Sequence, residues 1–356
     1  MDEVVALLKG EFRHLVTFQP AQRPWQMPVA AALAAGLPLL VGAWFDRMDY
    51  GLIASLGGQT FLYTSNTHVP QRMVTLMVCA FGMAACFALA LIGSFHPAST
   101  IVVLTVLSTL VTMVCRFYRL QPPGSLFFIM AASIAAYMPW NFWLIPLRVG
   151  LIFMGSTLAV LIAFFYSLHI VRRQKPVAHP PIQNPGFQFV VYDSVMIGAF
   201  VGLSLVLAHV LRLQSPYWVP VSCIAIMQNM TMRAVWNRQV HRILGTAAGV
   251  VLAWGLLLLP FNKWGLCITI MVLTFMIEML VVRNYALAVM FITPLTIYLA
   301  KSGAAADMTA TALILTRLVD IVLGSVIGCL GGVFLHDLRL RSWLSERVFR
   351  VPFPSA

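Results

Sequence analysis

Residues 73–95 read Met-Val-Thr-Leu-Met-Val-Cys-Ala-Phe-Gly-Met-Ala-Ala-Cys-Phe-Ala-Leu-Ala-Leu-Ile-Gly-Ser-Phe, with no charged side chain from Met73 to Phe95. A helix needs about 20 such residues to cross the hydrocarbon of a bilayer. The reading extends outward from this stretch. Apolar runs recur at 27–45, 50–66, 98–115, 124–140 and 147–170, then at 193–212, 217–232, 241–260, 263–282, 284–300 and 313–336. The whole chain is 60% hydrophobic and 10% charged, against about 25% charged in an ordinary soluble domain. Mean hydropathy is +0.89. A soluble fold of this composition would have no polar coat. A disordered chain, a nucleic-acid binder and a disulfide scaffold are excluded on the same ground.

The expected fold is therefore an all-α integral membrane protein of about twelve transmembrane helices. The second and eighth runs are short and polar, with Gln59, Thr60 and Ser65 in one and Ser222, Gln228 and Asn229 in the other. Gly124 and Pro139 bound the fifth, and Pro294 interrupts the eleventh. Short or broken segments at matching places in two halves point to a transport pathway.

Charge sets the orientation. With the N-terminus in the cytoplasm, 17 lysines and arginines fall on inner segments and 6 on outer ones: Arg47, Arg148, Arg212, Lys263, Lys301 and Arg317. The positive-inside rule then places both termini in the cytoplasm. Trp25, Trp44, Trp140, Trp143, Trp218, Trp236 and Trp264 lie near the proposed boundaries, where amphipathic rings prefer to sit. No cleavable signal peptide is expected, and Met1 to Phe18 could form an amphipathic surface helix. Cys79, Cys86, Cys115, Cys223, Cys267 and Cys329 form no CxxC and read as buried thiols, not as a metal cluster. No metal and no cofactor are expected.

The polar, proline-rich segment around Arg172 to Gln188 divides the chain near its middle. Landmarks repeat across it at a nearly constant shift. Arg148-x6-Gly155-Ser156 matches Arg317-x6-Gly324-Ser325, Arg116-Phe117-Tyr118 matches Arg283-Asn284-Tyr285, Tyr50 matches Tyr217, and Gln59 lies near Gln228. An even number of spans per half makes these two parallel-topology six-helix repeats. The expected organisation is a cytoplasmic segment 1–26, a first repeat 27–170, a linker 171–192, a second repeat 193–336 and a tail 337–356.

No nucleophile elbow, zinc-protease motif or phosphate loop is present, so the chain is not expected to be an enzyme. Intramembrane charges are then the places to look. Glu278 lies inside the tenth run, where a carboxylate has to be protonated or paired. It is a candidate proton-coupling residue, or else a structural partner of Arg283. Arg317 and Asp320 share a helix face at i,i+3, as a salt bridge or as part of the pathway with Asp320 coupling. Arg148 lacks such a neighbour, because Leu151 stands where an acid would be. It either holds an anion or snorkels to headgroups. Gln59, Gln228 and Asn229 could line the pathway or serve as interhelix glue. Asp193 starts the seventh run and reads as a functional intramembrane charge or equally as an N-terminal helix charge, and His209 reads as a packing histidine rather than a proton relay. Gly245-x3-Gly249 and Gly324-x3-Gly328 fit close helix packing.

One stretch is more specific. Tyr217-Trp218-Val219-Pro220 enters a span running through Gln228, an arginine-containing loop follows from Arg233 to Arg238, and Arg242-Ile243-Leu244-Gly245-Thr246-Ala247-Ala248-Gly249 opens the next helix. This resembles the fusaric acid resistance and aromatic acid exporter superfamily of bacterial inner-membrane proteins. Arg72 echoes it weakly in the first half. The resemblance implies efflux of aromatic or other small organic acids, a periplasmic adaptor of the membrane-fusion type, and an architectural role for Tyr217, Trp218, Pro220, Arg242, Gly245, Thr246 and Gly249. Family members commonly carry a large cytoplasmic domain, and the short linker and tail here imply a compact, membrane-only version. No ATPase motif is present, so pumping would use an ion gradient or else a partner, and proton drive is the expectation. Substrate would pass between rocking halves. A passive organic-anion channel and a membrane scaffold for an adaptor are the alternatives. The major-facilitator loop motif is absent. Small-residue faces suit a homodimer and packing within one chain equally.

Overall fold

The computed structural model describes residues 23–171, 186–228, 231–301 and 309–337. Those residues form twelve α-helices and no strand. They are α1 (Gln26–Trp44), α2 (Met48–Gly58), α3 (Val69–Gly93), α4 (Pro97–Phe117), α5 (Leu126–Ala136), α6 (Ile145–Val171), α7 (Phe187–Val210), α8 (Trp218–Met227), α9 (Met232–Leu257), α10 (Lys263–Leu280), α11 (Tyr285–Lys301) and α12 (Ala310–His336). Short 3₁₀ turns follow α2 at Gln59–Tyr63 and precede α6 at Phe142–Leu144.

Twelve full spans are not what this gives. Eight helices are long and apolar enough to cross a membrane. The other four, α2, α5, α8 and α11, have 11, 11, 10 and 17 residues. At about 1.5 Å per residue, ten residues reach only half of a roughly 30 Å hydrocarbon layer. The three shortest, α2, α5 and α8, therefore begin or end inside the bundle, whereas the 17 residues of α11 reach about 26 Å. The order long, short, long, long, short, long is repeated in the two halves.

Packing repeats with it. In the first half α1 packs on α2 and α6, α2 on α6, α3 on α5 and α6, and α4 on α5. In the second, α7 packs on α8 and α12, α8 on α12, α9 on α11 and α12, and α10 on α11. The halves meet along two seams that also correspond, α4 against α7 and α1 against α10, with a smaller contact of α5 on α8.

Glycine permits the tightest of these contacts. A Cβ at Gly324 would strike the Val219 carbonyl of α8, and one at Gly155 would strike the Ala54 carbonyl of α2. Gly328 faces the Cys223 carbonyl, four residues on from Val219, so α8 and α12 run parallel here. Gly245 and Gly249 seat α9 on Ala286 and Met290 of α11. The two glycine pairs are helix-packing positions, as the small-residue spacing suggested.

The outside of the bundle is apolar too. Val74, Met77, Val78, Phe81, Leu89 and Ile92 face outward along α3, and Leu315, Val319, Val322, Val326 and Leu330 along α12. Such faces suit lipid, not water. Trp25, Trp44, Trp140, Trp143 and Trp236 are exposed. Trp218 is not an interface anchor, because it is buried. Cys79, Cys86, Cys115, Cys223 and Cys267 are buried free thiols, and Cys329 is half-buried.

Two helix starts differ from the sequence reading. α9 begins at Met232, so Arg233 to Arg238 is helix and not loop. Thr231 caps it, accepting from the Ala234 amide at 3.2 Å. α7 begins at Phe187, which puts Asp193 in its second turn. The proposed surface helix at Met1 to Phe18 lies outside the described residues, as do most of the linker and tail.

Candidate functional site

α8 is the platform of the site. All ten of its residues, Trp218 to Met227, are buried. A helix apolar on every face belongs in the middle of a bundle. Its two polar-bearing side chains, Trp218 and Ser222, lie one turn apart, about 6 Å along the axis.

Two arginines converge on that face. Arg317 of α12 is 5% exposed. Its guanidinium carbon stands 3.8 Å from the centre of the Trp218 ring, and its Nε and Nη1 have no hydrogen-bond partner. Arg242 of α9 is 7% exposed. It donates from Nη2 to Ser222 Oγ at 3.0 Å and from Nη1 to the Tyr285 hydroxyl at 3.3 Å, and its Nε is unpartnered. Arg238 stacks on the other side of the arrangement, 4.0 Å from the Tyr285 ring centre. Arg242 and Arg317 are within electrostatic reach of each other.

The acid is there, but it is not paired. Asp320 has no exposed surface, and neither of its carboxylate oxygens has a partner. Four ion pairs form among the described residues, and none includes Arg242, Arg317 or Asp320. The i,i+3 salt bridge that the spacing allowed is not made. The hydroxyls of Thr246 and Ser325 are also buried without partners.

This arrangement of buried charges is costly. Stacking on Trp218 contributes about 2 kcal/mol to a desolvated guanidinium. Burying an ion out of water costs several kcal/mol even after relaxation. Two guanidinium groups brought together from α9 and α12 can hold a carboxylate or similar anion by charge-assisted hydrogen bonds. The Trp218 ring adds a flat apolar wall.

A cavity of about 340 Å³ adjoins this cluster. It lies between the α7–α8 connection, at Arg212, Leu213 and Gln214, and α12, at Ala312, Leu315, Thr316, Val319 and Asp320. Thr316 donates to Gln214 at 3.2 Å across it.

The remaining candidates are spread out. Arg148 is half-buried at the start of α6 and donates to the Pro139 carbonyl at 2.8 Å, so it does not join Arg317. Gln228 caps α8 and bonds Ser125 Oγ at 3.0 Å, at the start of α5. That contact bridges the halves. Gln59 is half-buried at the end of α2. Asn229 lies outside the described residues. Glu278 sits in the last turn of α10, buried, 4.0 Å from Arg23 and not paired with Arg283. Asp193 is no helix-terminal charge. It is buried and pairs with Arg116 of α4 at 2.5 Å, across the seam between the halves. His209 packs on Tyr137, with the hydroxyl 3.3 Å from Nδ1. In the first half, Arg72 is buried and donates to Ser167 Oγ and to the Thr67 carbonyl, both at 2.9 Å. Arg23 and Arg72 are both within electrostatic reach of Tyr166, whereas the arrangement of Arg317 on Trp218 beside Arg242 belongs to the second half.

Sequence reasoning did not single out Trp218, Arg242 and Tyr285 as one site. The signal available was the i,i+4 spacing of Trp218 and Ser222, which puts both on one face of the eighth run.

With this geometry in view, the comparisons fall into place. Residues 197–331 match the fusaric acid resistance protein-like family. The resemblance read from Tyr217 to Gly249 is borne out over that region, which contains Trp218, Arg242, Arg317 and Asp320. A membrane protein of Bacillus subtilis (strain 168), YvaC, described as uncharacterized, is 22% identical over an alignment of 483 positions. The alignment takes in 93% of this chain and 75% of the relative. It is longer than the chain, so the relative carries inserted segments that this chain lacks. No solved structure matches the chain. The apolar helices and both matches make this a multi-pass membrane protein, and the family description favours membrane transport over enzymatic chemistry.

Proposed function

We propose that the chain is an efflux transporter of the bacterial inner membrane that moves small organic acids, aromatic ones foremost, out of the cytoplasm. The observation that carries this reading is the pair of buried arginines, Arg317 on Trp218 and Arg242 on Ser222 and Tyr285, with no carboxylate paired to either. An anionic substrate would supply the missing charge, and its ring would lie against Trp218. The family description supports the same class of substrate.

On this reading both termini are cytoplasmic, and the halves are parallel-topology repeats related by an axis along the membrane normal. The matching helix pairs of the two halves support the repeat. Asp320, next to Arg317, and Glu278, next to Arg23, are the carboxylates assigned to proton coupling. Gln59 and Gln228, at the ends of the half-length helices, line the way towards the cytoplasmic end, with Asn229 following in sequence. Arg148 is assigned to the outer mouth of the first half. A periplasmic membrane-fusion adaptor would carry substrate onward. The test is uptake of labelled aromatic carboxylates into inverted vesicles, with and without an imposed proton gradient. Gradient-dependent accumulation that Arg317→Gln abolishes supports the proposal. Equilibration without accumulation contradicts the coupled exporter in favour of a channel.

A further inference from the structure

The cavity beside α12 has a chemistry that the anion site does not explain. Its wall includes Leu315 and Val319, which are 57% and 49% exposed on the lipid-facing side of the helix. Arg212 and Gln214 form its polar rim, and Asp320 closes its inner wall. The space therefore leads from the bilayer surface towards a buried carboxylate with two unpartnered oxygens. A carboxylate acceptor at the end of a greasy cavity is matched by a ligand that is apolar and brings its own proton.

We infer that this cavity is a lateral portal that takes lipophilic carboxylic acids from the bilayer in their neutral, protonated form. The inference rests on the exporter reading and deepens it by naming the form and route of the substrate. The neutral acid partitions into lipid and enters past Leu315 and Val319. Because Asp320 has no exposed surface, the side chains over it must part before the acid's O–H donates to one of its carboxylate oxygens. The acid's O–H bond then breaks as an O–H bond forms on Asp320, and the resulting substrate carboxylate pairs with Arg317, one turn away on the same helix. No other reactant is needed. The charged groups around Asp320 are consistent with this exchange. Arg317 lies on its own helix and Arg212 across the cavity. Tyr217 and Trp218 face it from the start of α8, and Arg242 faces Arg317 from α9.

The test uses the full chain in phospholipid nanodiscs and two probes, a diazirine-bearing benzoic acid and its methyl ester, which has no proton to donate. After illumination, labelled peptides are mapped by mass spectrometry. The acid should label α12 around Leu315 and Val319 about tenfold more than the ester, since one charge-assisted hydrogen bond separates them. Its labelling should fall as rising pH removes the neutral form. Asp320→Asn should bring the acid down to the level of the ester. Val319→Trp changes only the exposed mouth, so it tests the portal even if Asp320→Asn fails to fold. It should remove labelling there. Equal labelling by acid and ester, or no effect of either substitution, overturns the inference and leaves a lipophilic groove. If α12 stays unlabelled while the acid still binds in an Arg317-dependent way, the portal falls and the exporter site stands. If the acid binds nowhere, the exporter reading falls with it.

Discussion

Replacing Arg116 with alanine removes a buried ion-pair partner of Asp193 at the seam between the halves. Asp193 is 2% exposed on α7, and Arg116 reaches it from α4 at 2.5 Å. The surrounding seam is tight, with Gly198 and Gly202 of α7 seated directly on Thr105 and Thr109 of α4. Breaking a buried pair by removing one member costs about 3–5 kcal/mol, because the other charge stays behind unpaired. Removing both charges with shapes conserved, as in Arg116→Met with Asp193→Leu, is close to neutral or stabilising by about 1–4 kcal/mol. The assay is a double-mutant cycle on detergent-solubilised protein, with unfolding followed by helical circular dichroism in a denaturant titration. A single-variant loss of about 3 kcal/mol or more, largely recovered in the double variant, is expected. A single-variant loss below about 1 kcal/mol, or effects that simply add within about 0.5 kcal/mol, would refute the argument that this pair is a buried join between the halves.

Four other outcomes are expected. Gly324→Val should sharply lower the yield of folded protein, because its side chain would enter the Val219 carbonyl and Ser222. Gly255→Ala, with nothing within 4 Å of the added carbon, should be neutral or stabilising by up to about 1 kcal/mol; thermal-shift measurements compare the two. Glu278→Gln should abolish the response of transport to an imposed proton gradient, whereas an unchanged response would leave Glu278 as a structural partner of Arg23. Trp218→Ala should weaken binding of aromatic carboxylates by about tenfold more than binding of aliphatic ones of the same charge, read by displacement of a labelled benzoate.

The helix plan was legible because apolar runs report directly on burial in lipid. The ends were not. α9 starts nine residues earlier than its apolar run, because Arg233, Arg238 and Arg242 dilute the hydropathy of its first turns. The structure accommodates two of them by tertiary contacts, Arg238 over Tyr285 and Arg242 against Ser222. Asp193 looked terminal for the same reason, since its partner is 77 residues away on another helix. Arg317 and Asp320 were found from their cost in a membrane. Their failure to pair could not be read from an i,i+3 spacing, which allows a salt bridge without requiring one. Arg242 was read as architecture because it opens a Gly-Thr helix motif. Its place beside Arg317 follows only from how α8, α9 and α12 pack.

The central claim is that the Arg317 and Arg242 guanidinium groups hold the transported anion against Trp218. The most direct measurement is equilibrium binding of labelled benzoate and related aromatic carboxylates to purified protein, comparing the native chain with Arg317→Gln and with Arg148→Gln. The account predicts saturable binding that Arg317→Gln abolishes and Arg148→Gln leaves within about twofold, because Arg148 is engaged with the Pro139 carbonyl at the start of α6 in the other half. Native-like binding in Arg317→Gln would contradict it.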